Sequence, residues 1–442
     1  MRVLRYQVSN FRSFRDETEL SFVSTSQADK PDYRIHSEQA EAGVLPVVGV
    51  WGANASGKTN LLKAILDFRE HVTKSFLLEP DAVIPWQPFA LDLEGPPTRH
   101  ELEFELESVR YRYGFAHTSK SYAEEWLYSL PGSRWQRVFH RGKPESPSWL
   151  WGRSFSGHRD VLASQTRPNA LFLSTAAQFN HELLLPVFRA IKGGIRRASR
   201  VEFDGFPVFG SAAPILNPAL RQQFEQLLDA IDIGCVGVEV SELKADLPPK
   251  LVEMLQPEVL EKMRTAGPPA AFHLKLVRNA SDGRRWTLPS EQESSGTNMM
   301  LRRLNDLMGQ EQGLLVMDEM DISLHPDLSR AIIAVYTSPR ANAQGRQLLF
   351  SAHDRDLMGE LRRDEVLIAE KDRDGASTIH SAAEYRGIRR DRQRLQDLYS
   401  AGQLGGKPVL GRLESMMWER SRSPQRDGNS SGSSRAPDAS SE

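Results

Sequence analysis

One eight-residue stretch constrains the fold of this chain more than any other. It has the spacing G-x-x-x-x-G-K-[ST], and its residues are Gly52, Ala53, Asn54, Ala55, Ser56, Gly57, Lys58 and Thr59. It follows a continuous apolar run at 47–51 and precedes apolar residues at helical spacing from 61 to about 76. A buried strand, a glycine loop and a helix in this order predict a phosphate-binding loop in a parallel α/β sheet. The alternative is an ordinary glycine turn ahead of a helix.

The loop has the groups that bind the phosphates of a nucleotide. Its glycines let backbone N–H groups surround the phosphates, and the helix N-terminus adds positive potential. We expect Lys58 to reach the β- and γ-phosphates and the Thr59 hydroxyl to coordinate Mg²⁺. No residue that would read an adenine is identifiable, so the sequence motif alone leaves ATP and GTP open.

An acidic pair follows a second apolar run. Asp318 and Glu319 come directly after residues 314–317, and open parallel sheets bind ligands at the carboxyl ends of their strands. We expect Asp318 to hold Mg²⁺, directly or through water, and Glu319 to orient and partly deprotonate an attacking water. Acidic residues often simply end strands, but together with the phosphate-binding loop this pair predicts nucleotide hydrolysis.

Two more polar residues follow stretches that we predict to be strands. Gln178 follows residues 172–177, and His353 follows residues 349–352. Both are expected on the γ-phosphate side. A histidine near a strand end is more often structural than functional, so the interpretation of His353 depends on its position downstream of the acidic pair.

Residues 293–297 precede a helix with an apolar stripe. Ser295 and Gly296 would supply an N-cap and free backbone N–H groups, which would make a second anion-binding helix terminus. Without the other motifs, an ordinary capped helix is the preferred interpretation.

The remaining pattern predicts a parallel α/β core with an antiparallel meander and a helical insertion. Strands are expected at 3–8, 20–23, 101–107, 109–115, 123–130, 135–139, 170–174, 314–317 and 347–351, with a helix at 327–337. Residues 146–169 show no clear period. Residues 181–270 are expected to be mostly helical, and their prolines exclude a long coiled coil.

We predict three segments and a tail. They are 1–140, an N-terminal lobe with the loop and the meander; 141–270, an irregular and helical insertion that includes the Gln178 strand; 271–410, a C-terminal lobe; and 421–442, a disordered polar tail.

The composition is that of a globular protein, with 39% hydrophobic and 26% charged residues. A net charge of −2 gives no global attraction to nucleic acid, so such contacts would come from the basic runs at 191–200 and 386–394. A solvated face or an acidic protein partner explains these runs equally well. Cys235 is the only cysteine, which excludes an intramolecular disulfide. Without an apolar leader or a run of 18 apolar residues, we expect a soluble cytoplasmic protein with no membrane partner.

Taken together, the motifs resemble those of ABC-type ATPases. They are most similar to the bacterial ABC-like AAA-type ATP-binding proteins, a group that includes the overcoming-lysogenization-defect ATPases and is related to SMC-type heads. The resemblance spans about residues 1–410. Gly52–Thr59 matches Walker A and Asp318–Glu319 matches Walker B. Gln178 matches the Q-loop, and Glu293–Thr297 matches the signature. Ser323–Pro326 matches the D-loop region, and His353 matches the switch histidine. The opening of the family matches Asn10–Phe14, with Arg12 implied as a nucleotide contact.

The resemblance implies ATP and Mg²⁺ as ligands, with Gln178 as a further metal contact and His353 as a catalytic residue. It also implies a homodimer that closes head to head, in which Ser295 and Gly296 of one protomer contact the γ-phosphate held by the loop of the other. Higher oligomers stay open. Met320 stands where many relatives have proline, and Ser294-Ser295-Gly296 replaces the commoner Ser-Gly-Gly, so the register of the signature is open by one residue.

Three functions follow from this interpretation. The first is an ATPase that drives a nucleic-acid-related or anti-phage defence task with a separate effector such as a nuclease, because the residues after 372 are too few for the Toprim nuclease domain of some relatives. The second is a nucleotide-gated switch that holds a partner inactive and hydrolyses slowly. The third, the ATPase subunit of a membrane transporter, fits poorly with the meander and the proline-broken insertion.

Overall fold

The strands of the protein form three sheets within the residues that the structure describes. This computed structural model describes residues 1–25, 32–91, 95–142, 148–153, 155–199, 217–231, 234–243, 271–280, 282–308, 312–385 and 393–406. The strands are β1 Arg2–Ser9, β2 Thr18–Ser21, β3 Val47–Gly52, β4 Thr98–Leu106, β5 Val109–His117, β6 Tyr122–Leu130, β7 Gln136–Arg141, β8 Trp149–Trp151, β9 Ile195–Arg197, β10 Gly237–Leu243, β11 Ala271–Asn279, β12 Arg285–Pro289, β13 Leu314–Met317, β14 Gln347–Ser351, β15 Val366–Lys371 and β16 Ser377–Ser381.

The helices connect and cover these sheets. They are α1 Lys58–Lys74, α2 Arg159–Ser164, α3 Phe172–Gln178, α4 Leu184–Gly194, α5 Pro218–Ala230, α6 Ser295–Met308, α7 Pro326–Thr337 and α8 Gln393–Ser400. Short 3-10 turns lie at Ser75–Leu77, Ser290–Gln292, Arg355–Glu360, Arg363–Glu365 and Ala382–Glu384. Among the described helices, none is both long enough and apolar enough to cross a bilayer.

A six-stranded sheet positions the glycine-rich loop. Its order is β16-β15-β3-β14-β13-β9, and all strands except the edge strand β16 run parallel. Every residue of β3, β13 and β14 is buried, which explains their continuous apolar sequences, because both faces of the sheet are covered. The predicted strands at 47–51, 314–317 and 347–351 and the helix at 327–337 are therefore confirmed.

A seven-stranded antiparallel sheet forms the second layer. Its order is β2-β1-β4-β5-β6-β7-β8, which confirms the predicted meander. The helix α1 lies between the two sheets: Phe68 stacks on Phe115 of β5 with 5.5 Å between ring centroids, and the same hydrophobic core includes Val48 and Val50 of β3. The helix that follows the glycine-rich loop therefore packs against both sheets.

A third sheet of β10, β11 and β12 packs with α5 and α6 around a separate small core. The predicted irregular stretch 146–169 contains β8 and α2. The predicted helical stretch 181–270 contains α4 and α5 but also β9 and β10, and its residues 200–216 and 244–270 lie outside the described part. The predicted tail 421–442 also lies outside the described residues.

The basic run at 191–200 has a buried apolar side and an exposed basic side over residues 191–199, where Lys192 and Arg197 are exposed. It forms the end of α4 and then β9, and Ile191, Ile195 and Ala198 are buried. The second basic run begins at 386, and residues 386–392 are outside the described part. The six-stranded sheet takes strands from all three predicted segments, within a unit that spans Met1–Gly406. The boundaries at 140 and 270 stay predictions.

The strand predicted at 170–174 is wrong, because these residues begin the helix α3. Residues 172–177 are all buried, and a helix buried on every side has the same continuous apolar sequence as a buried strand. The Glu125 carboxylate of β6 holds its first turn by accepting the N–H groups of Phe172 at 2.6 Å and Leu173 at 2.9 Å. Gln178 is consequently the exposed last residue of a helix, not the residue after a strand.

We expect Glu125→Ala to lower the free energy of unfolding by about 3–5 kcal/mol. The side chain is fully buried, and its removal leaves the two N–H groups of α3 and the Arg141 guanidinium, 3.9 Å away, without their anion. The neighbouring Glu124, which pairs with Arg99 on the surface at 3.3 Å, is the matched control, and Glu124→Ala should cost less than about 1 kcal/mol. Urea unfolding followed by tryptophan fluorescence measures both, and equal shifts would contradict the role of Glu125.

Candidate nucleotide-binding site

The glycine-rich loop connects β3 to α1 in a conformation that depends on its glycines. Gly52 has φ 151° and Gly57 has φ 113°, a region of backbone space that other residues rarely adopt. A Cβ atom on Gly52 would overlap the Ala369 carbonyl, and one on Gly57 would overlap the Ser377 side chain. The loop is therefore held tightly against β15 and β16.

Lys58 directs its ammonium group into the loop. Its Nζ donates hydrogen bonds to the carbonyl oxygens of Gly52 at 2.8 Å and Ala53 at 3.1 Å. Burial lowers the pKa of Lys58, and the nearby carboxylates of Asp318 and Glu319 oppose that shift. The lysine thus lies between the loop backbone and the acidic pair, where it can bind a phosphate.

Oxygen atoms from three elements converge at Asp318. The Thr59 hydroxyl at the start of α1 donates to Asp318 Oδ1 at 3.2 Å, and the Ser351 hydroxyl at the end of β14 donates to the same oxygen at 2.6 Å. Hydroxyl and carboxylate oxygens are the ligands that Mg²⁺ prefers, usually one or two from the protein together with phosphate oxygens and waters. The residues present therefore fit a magnesium ion held by Thr59 and Asp318.

Glu319 has a constrained backbone next to this convergence. Its φ is +50°, which is uncommon outside glycine and costs of order 1–3 kcal/mol. Its N–H donates to Ser351 Oγ at 2.8 Å, so one serine fixes both members of the acidic pair. Sequence reasoning missed Ser351. Its position at the end of β14 could have indicated it, because the register pairs Met317 with Phe350 and so brings the next residues, Asp318 and Ser351, side by side.

Two buried residues of α6 connect the acidic pair to β9. The Arg303 guanidinium donates to the carbonyl oxygens of Asp318 and Ser199, each at 3.3 Å. The Asp306 carboxylate accepts the N–H and the hydroxyl of Ser199, each at 2.9 Å. The strand β9 lies beside β13, which ends just before Asp318. The polar residue that follows β9 at this edge of the sheet is Ser199. The sequence predicted Gln178 for such a position.

The signature residues lie at the first turn of α6. Ser294 Oγ accepts the Thr297 N–H at 3.0 Å, so the N-cap is Ser294 and not Ser295 as predicted, because the helix begins at Ser295, one residue earlier than expected. Ser295 is exposed and Gly296 is half-buried. A Cβ atom on Gly296 would lie 3.1 Å from the Ser323 carbonyl oxygen, which places this turn against the D-loop region.

His353 lies in the turn that follows β14, with an exposed side chain. Its N–H and that of Asp354 donate to Asp321 Oδ2 at 2.8 Å and 2.6 Å. Asp321, which the sequence did not single out, thereby fastens the turn after β14 to the turn after β13.

Arg12 belongs to the opening turn, with φ 53° and its N–H donated to the Gln87 carbonyl at 2.8 Å. The same turn contacts α1, where the Asn60 amide donates to Ser13 Oγ at 2.8 Å. The structure therefore places the opening beside the loop helix, while the nucleotide contact of Arg12 stays a prediction.

A cleft of about 450 Å³ opens beside the acidic pair. Its lining includes Thr59, Asp318, Glu319, Arg197 and Ser199, whereas its described lining does not include Gln178. The lining of a second cleft of about 450 Å³ includes the acidic residues Asp16, Glu17 and Glu19, whose negative charges would repel a phosphate. The first cleft is the better candidate for a nucleotide.

The fold and the site define a P-loop protein of the ABC-like AAA class. Residues 47–358 match the family described as "AAA domain, putative AbiEii toxin, Type IV TA system". This match covers more than half of the chain, so the chain belongs to that family, and the predicted resemblance and α/β fold class are confirmed.

The SMC head domain from Thermotoga maritima is 12% identical with a TM-score of 0.37, and the match covers 86% of this chain and 99% of that one. An ATP-binding cassette of an ABC transporter is 11% identical with a TM-score of 0.30, over 91% of this chain and 97% of that one. Among curated proteins, none matches.

We expect Lys58→Ala to weaken the binding of a nucleoside triphosphate. A charge-assisted hydrogen bond contributes about 1.5–3 kcal/mol, which corresponds to roughly 10- to 150-fold in affinity. Titration with a fluorescent ATP analogue measures the loss. The control is Lys74→Ala at the other end of α1, where the lysine pairs with Glu70 on the surface. Unchanged affinity in Lys58→Ala would overturn the assignment of the loop.

Proposed function

We propose that this protein binds ATP with Mg²⁺ and hydrolyses it to ADP and phosphate. The observation that carries this proposal is the convergence of Thr59 and Ser351 on Asp318, directly beside Glu319 and the loop lysine. Phosphate-binding and acid–base groups thus meet at one edge of the parallel sheet, which is where ligands of such sheets bind.

Each residue of the site has a defined task in this proposal. Lys58 and the loop N–H groups hold the β- and γ-phosphates, and Thr59 and Asp318 hold the metal. When bound, Mg²⁺ supplies positive charge that offsets the charge of the phosphates. Glu319 accepts a proton from the attacking water, for which its carboxylate must stay free and oriented. Its N–H bond to Ser351 provides that orientation.

We further propose that two copies close head to head around two nucleotides. The first turn of α6 has N–H groups without helical partners and the exposed Ser295, which suit an anion. Eight residues separate Ser295 from Arg303, about 12 Å along the helix axis. The turn therefore lies apart from the Asp318 carbonyl that Arg303 contacts in the same chain, and a phosphate held by a second copy is the ligand that we assign to it.

A separately encoded partner completes the proposal. The description of the family names a putative toxin of a type IV toxin–antitoxin system, which supports a role in defence with a second component. We propose an ATPase whose closure acts on that partner or on nucleic acid. ATP turnover with and without DNA, RNA and the product of the neighbouring gene tests this. Little stimulation by any nucleic acid would favour the nucleotide-gated switch.

We expect Glu319→Gln to retain ATP binding while the turnover number falls by about 100-fold or more, because a general base contributes about 10²–10⁴-fold. The ATP-bound dimer should accumulate, since the amide cannot accept the proton of water. Phosphate release measures the turnover, and light scattering after gel filtration measures the dimer.

The matched control is Glu360→Gln, which changes an exposed glutamate in the 3-10 turn after β14. It should leave both measurements unchanged. Turnover in Glu319→Gln equal to that of the unmodified protein would refute the role of Glu319. If turnover is lost but no dimer forms, the proposed role of Glu319 in hydrolysis stands and the proposed head-to-head dimer is contradicted.

A further inference from the structure

Four titratable side chains meet between α1 and the antiparallel sheet, away from the nucleotide cleft. They are Asp67, His71, His100 and His117, and we name them the histidine cluster. Single ligand atoms of Asp67, His100 and His117 lie within 4.8 Å of one another. His71 Nε2 is 3.2 Å and His100 Nε2 is 3.7 Å from Asp67 Oδ2.

The three histidines are almost fully buried. His71 is 5%, His100 0% and His117 1% exposed. Within the described part of the chain, the Nε2 atom of each ring has no hydrogen-bond partner. Buried ring nitrogens without partners are costly, so three of them directed at one carboxylate need an explanation.

The opposite nitrogen of each ring is occupied by a partner outside the cluster. His71 Nδ1 is 2.8 Å from the Tyr122 hydroxyl, and His100 Nδ1 is 2.7 Å from the Tyr6 hydroxyl. His117 Nδ1 is 3.3 Å from the Thr118 carbonyl oxygen. Partners of this kind fix the orientation of a metal-binding imidazole and leave Nε2 for the metal.

His117 decides between a hydrogen-bond network and a metal site. A carbonyl oxygen only accepts, so His117 Nδ1 carries the proton towards Thr118, and Nε2 of the neutral ring has a lone pair. A lone pair does not bind the Asp67 carboxylate, since both are acceptors. A cation between Nε2 and Asp67 satisfies both groups.

We propose that the histidine cluster binds one zinc ion. Three imidazole nitrogens and one carboxylate oxygen form a donor set that suits Zn²⁺. Zn–N distances of about 2.0–2.1 Å place tetrahedral ligands about 3.3 Å apart, so binding draws the donor atoms of Asp67, His100 and His117 together from separations of up to 4.8 Å. Four protein ligands and deep burial make this a structural site rather than a catalytic one.

The position of the site gives it a structural task. Asp67 and His71 belong to α1, His100 to β4 and His117 to β5. A zinc ion would therefore fasten the helix that begins at Lys58 to the antiparallel sheet. Carbon–carbon packing of Phe68 on Phe115 already joins these elements, and the metal adds a directional bond to that contact.

Metal analysis of the full-length protein, purified without a histidine tag, tests the proposal. We expect about one zinc per chain by mass spectrometry. After removal with a chelator, added Co²⁺ should give the intense visible absorption of a tetrahedral site, and either metal should raise the melting temperature. These measurements need no variant. Protein with no metal that binds neither Zn²⁺ nor Co²⁺ would overturn the proposal.

Variants test the individual ligands. Asp67→Asn and His117→Gln should weaken Co²⁺ binding by at least about 100-fold, because even outer-shell losses cost 10- to 100-fold in metal affinity. His140→Gln is the matched control, since His140 lies half-buried on β7 of the same sheet. Circular dichroism confirms folding of each variant. Equal metal content in all three would show that the metal binds elsewhere, which contradicts the assignment.

Discussion

The register of three parallel strands is the constraint on which the site depends. Met317 of β13 pairs with Phe350 of β14, and Phe350 pairs with Gly49 of β3. The three strands therefore end side by side, although β3 begins at Val47 and the other two begin at Leu314 and Gln347. This alignment brings Asp318 within hydrogen-bond distance of both Ser351 and Thr59. A shift of one residue would turn the neighbouring side chains to the opposite face and separate these groups.

A second constraint is the buried arginine of α6. Arg303 is 2% exposed and forms an ion pair with Asp306 at 4.0 Å. Burial lowers the pKa of Arg303, and its hydrogen bonds to the Asp318 and Ser199 carbonyls offset part of that desolvation. The same helix α6 begins at the signature. It therefore connects the surface that would contact a second copy with the backbone of the acidic pair.

Local spacing was sufficient to predict some parts of the site but not others. The loop and the acidic pair are contiguous in sequence, and each sits at the end of a strand with a strong apolar signal. Ser351, Ser199 and Arg303 become visible only when strand order and helix packing are known. Gln178 was misplaced because periodicity cannot separate a buried helix from a buried strand. The histidine cluster was missed because its members are spread over residues 67–117, and only the β4–β5 register brings His100 and His117 to one face.

The helix α1 is shared by the two sites. Lys58 and Thr59 form its first turn, and Asp67 and His71 lie 9 and 13 residues after Lys58, about 14 and 20 Å along the axis. The direction of Lys58 relative to the acidic pair therefore depends on how the far half of the helix is fixed. Aromatic packing holds α1 against the sheet through apolar contact area, and metal–ligand bonds would add contacts of defined length and direction. Fixing the far half of α1 by directional bonds would thus keep the loop in its phosphate-binding orientation without adding any group to the nucleotide site.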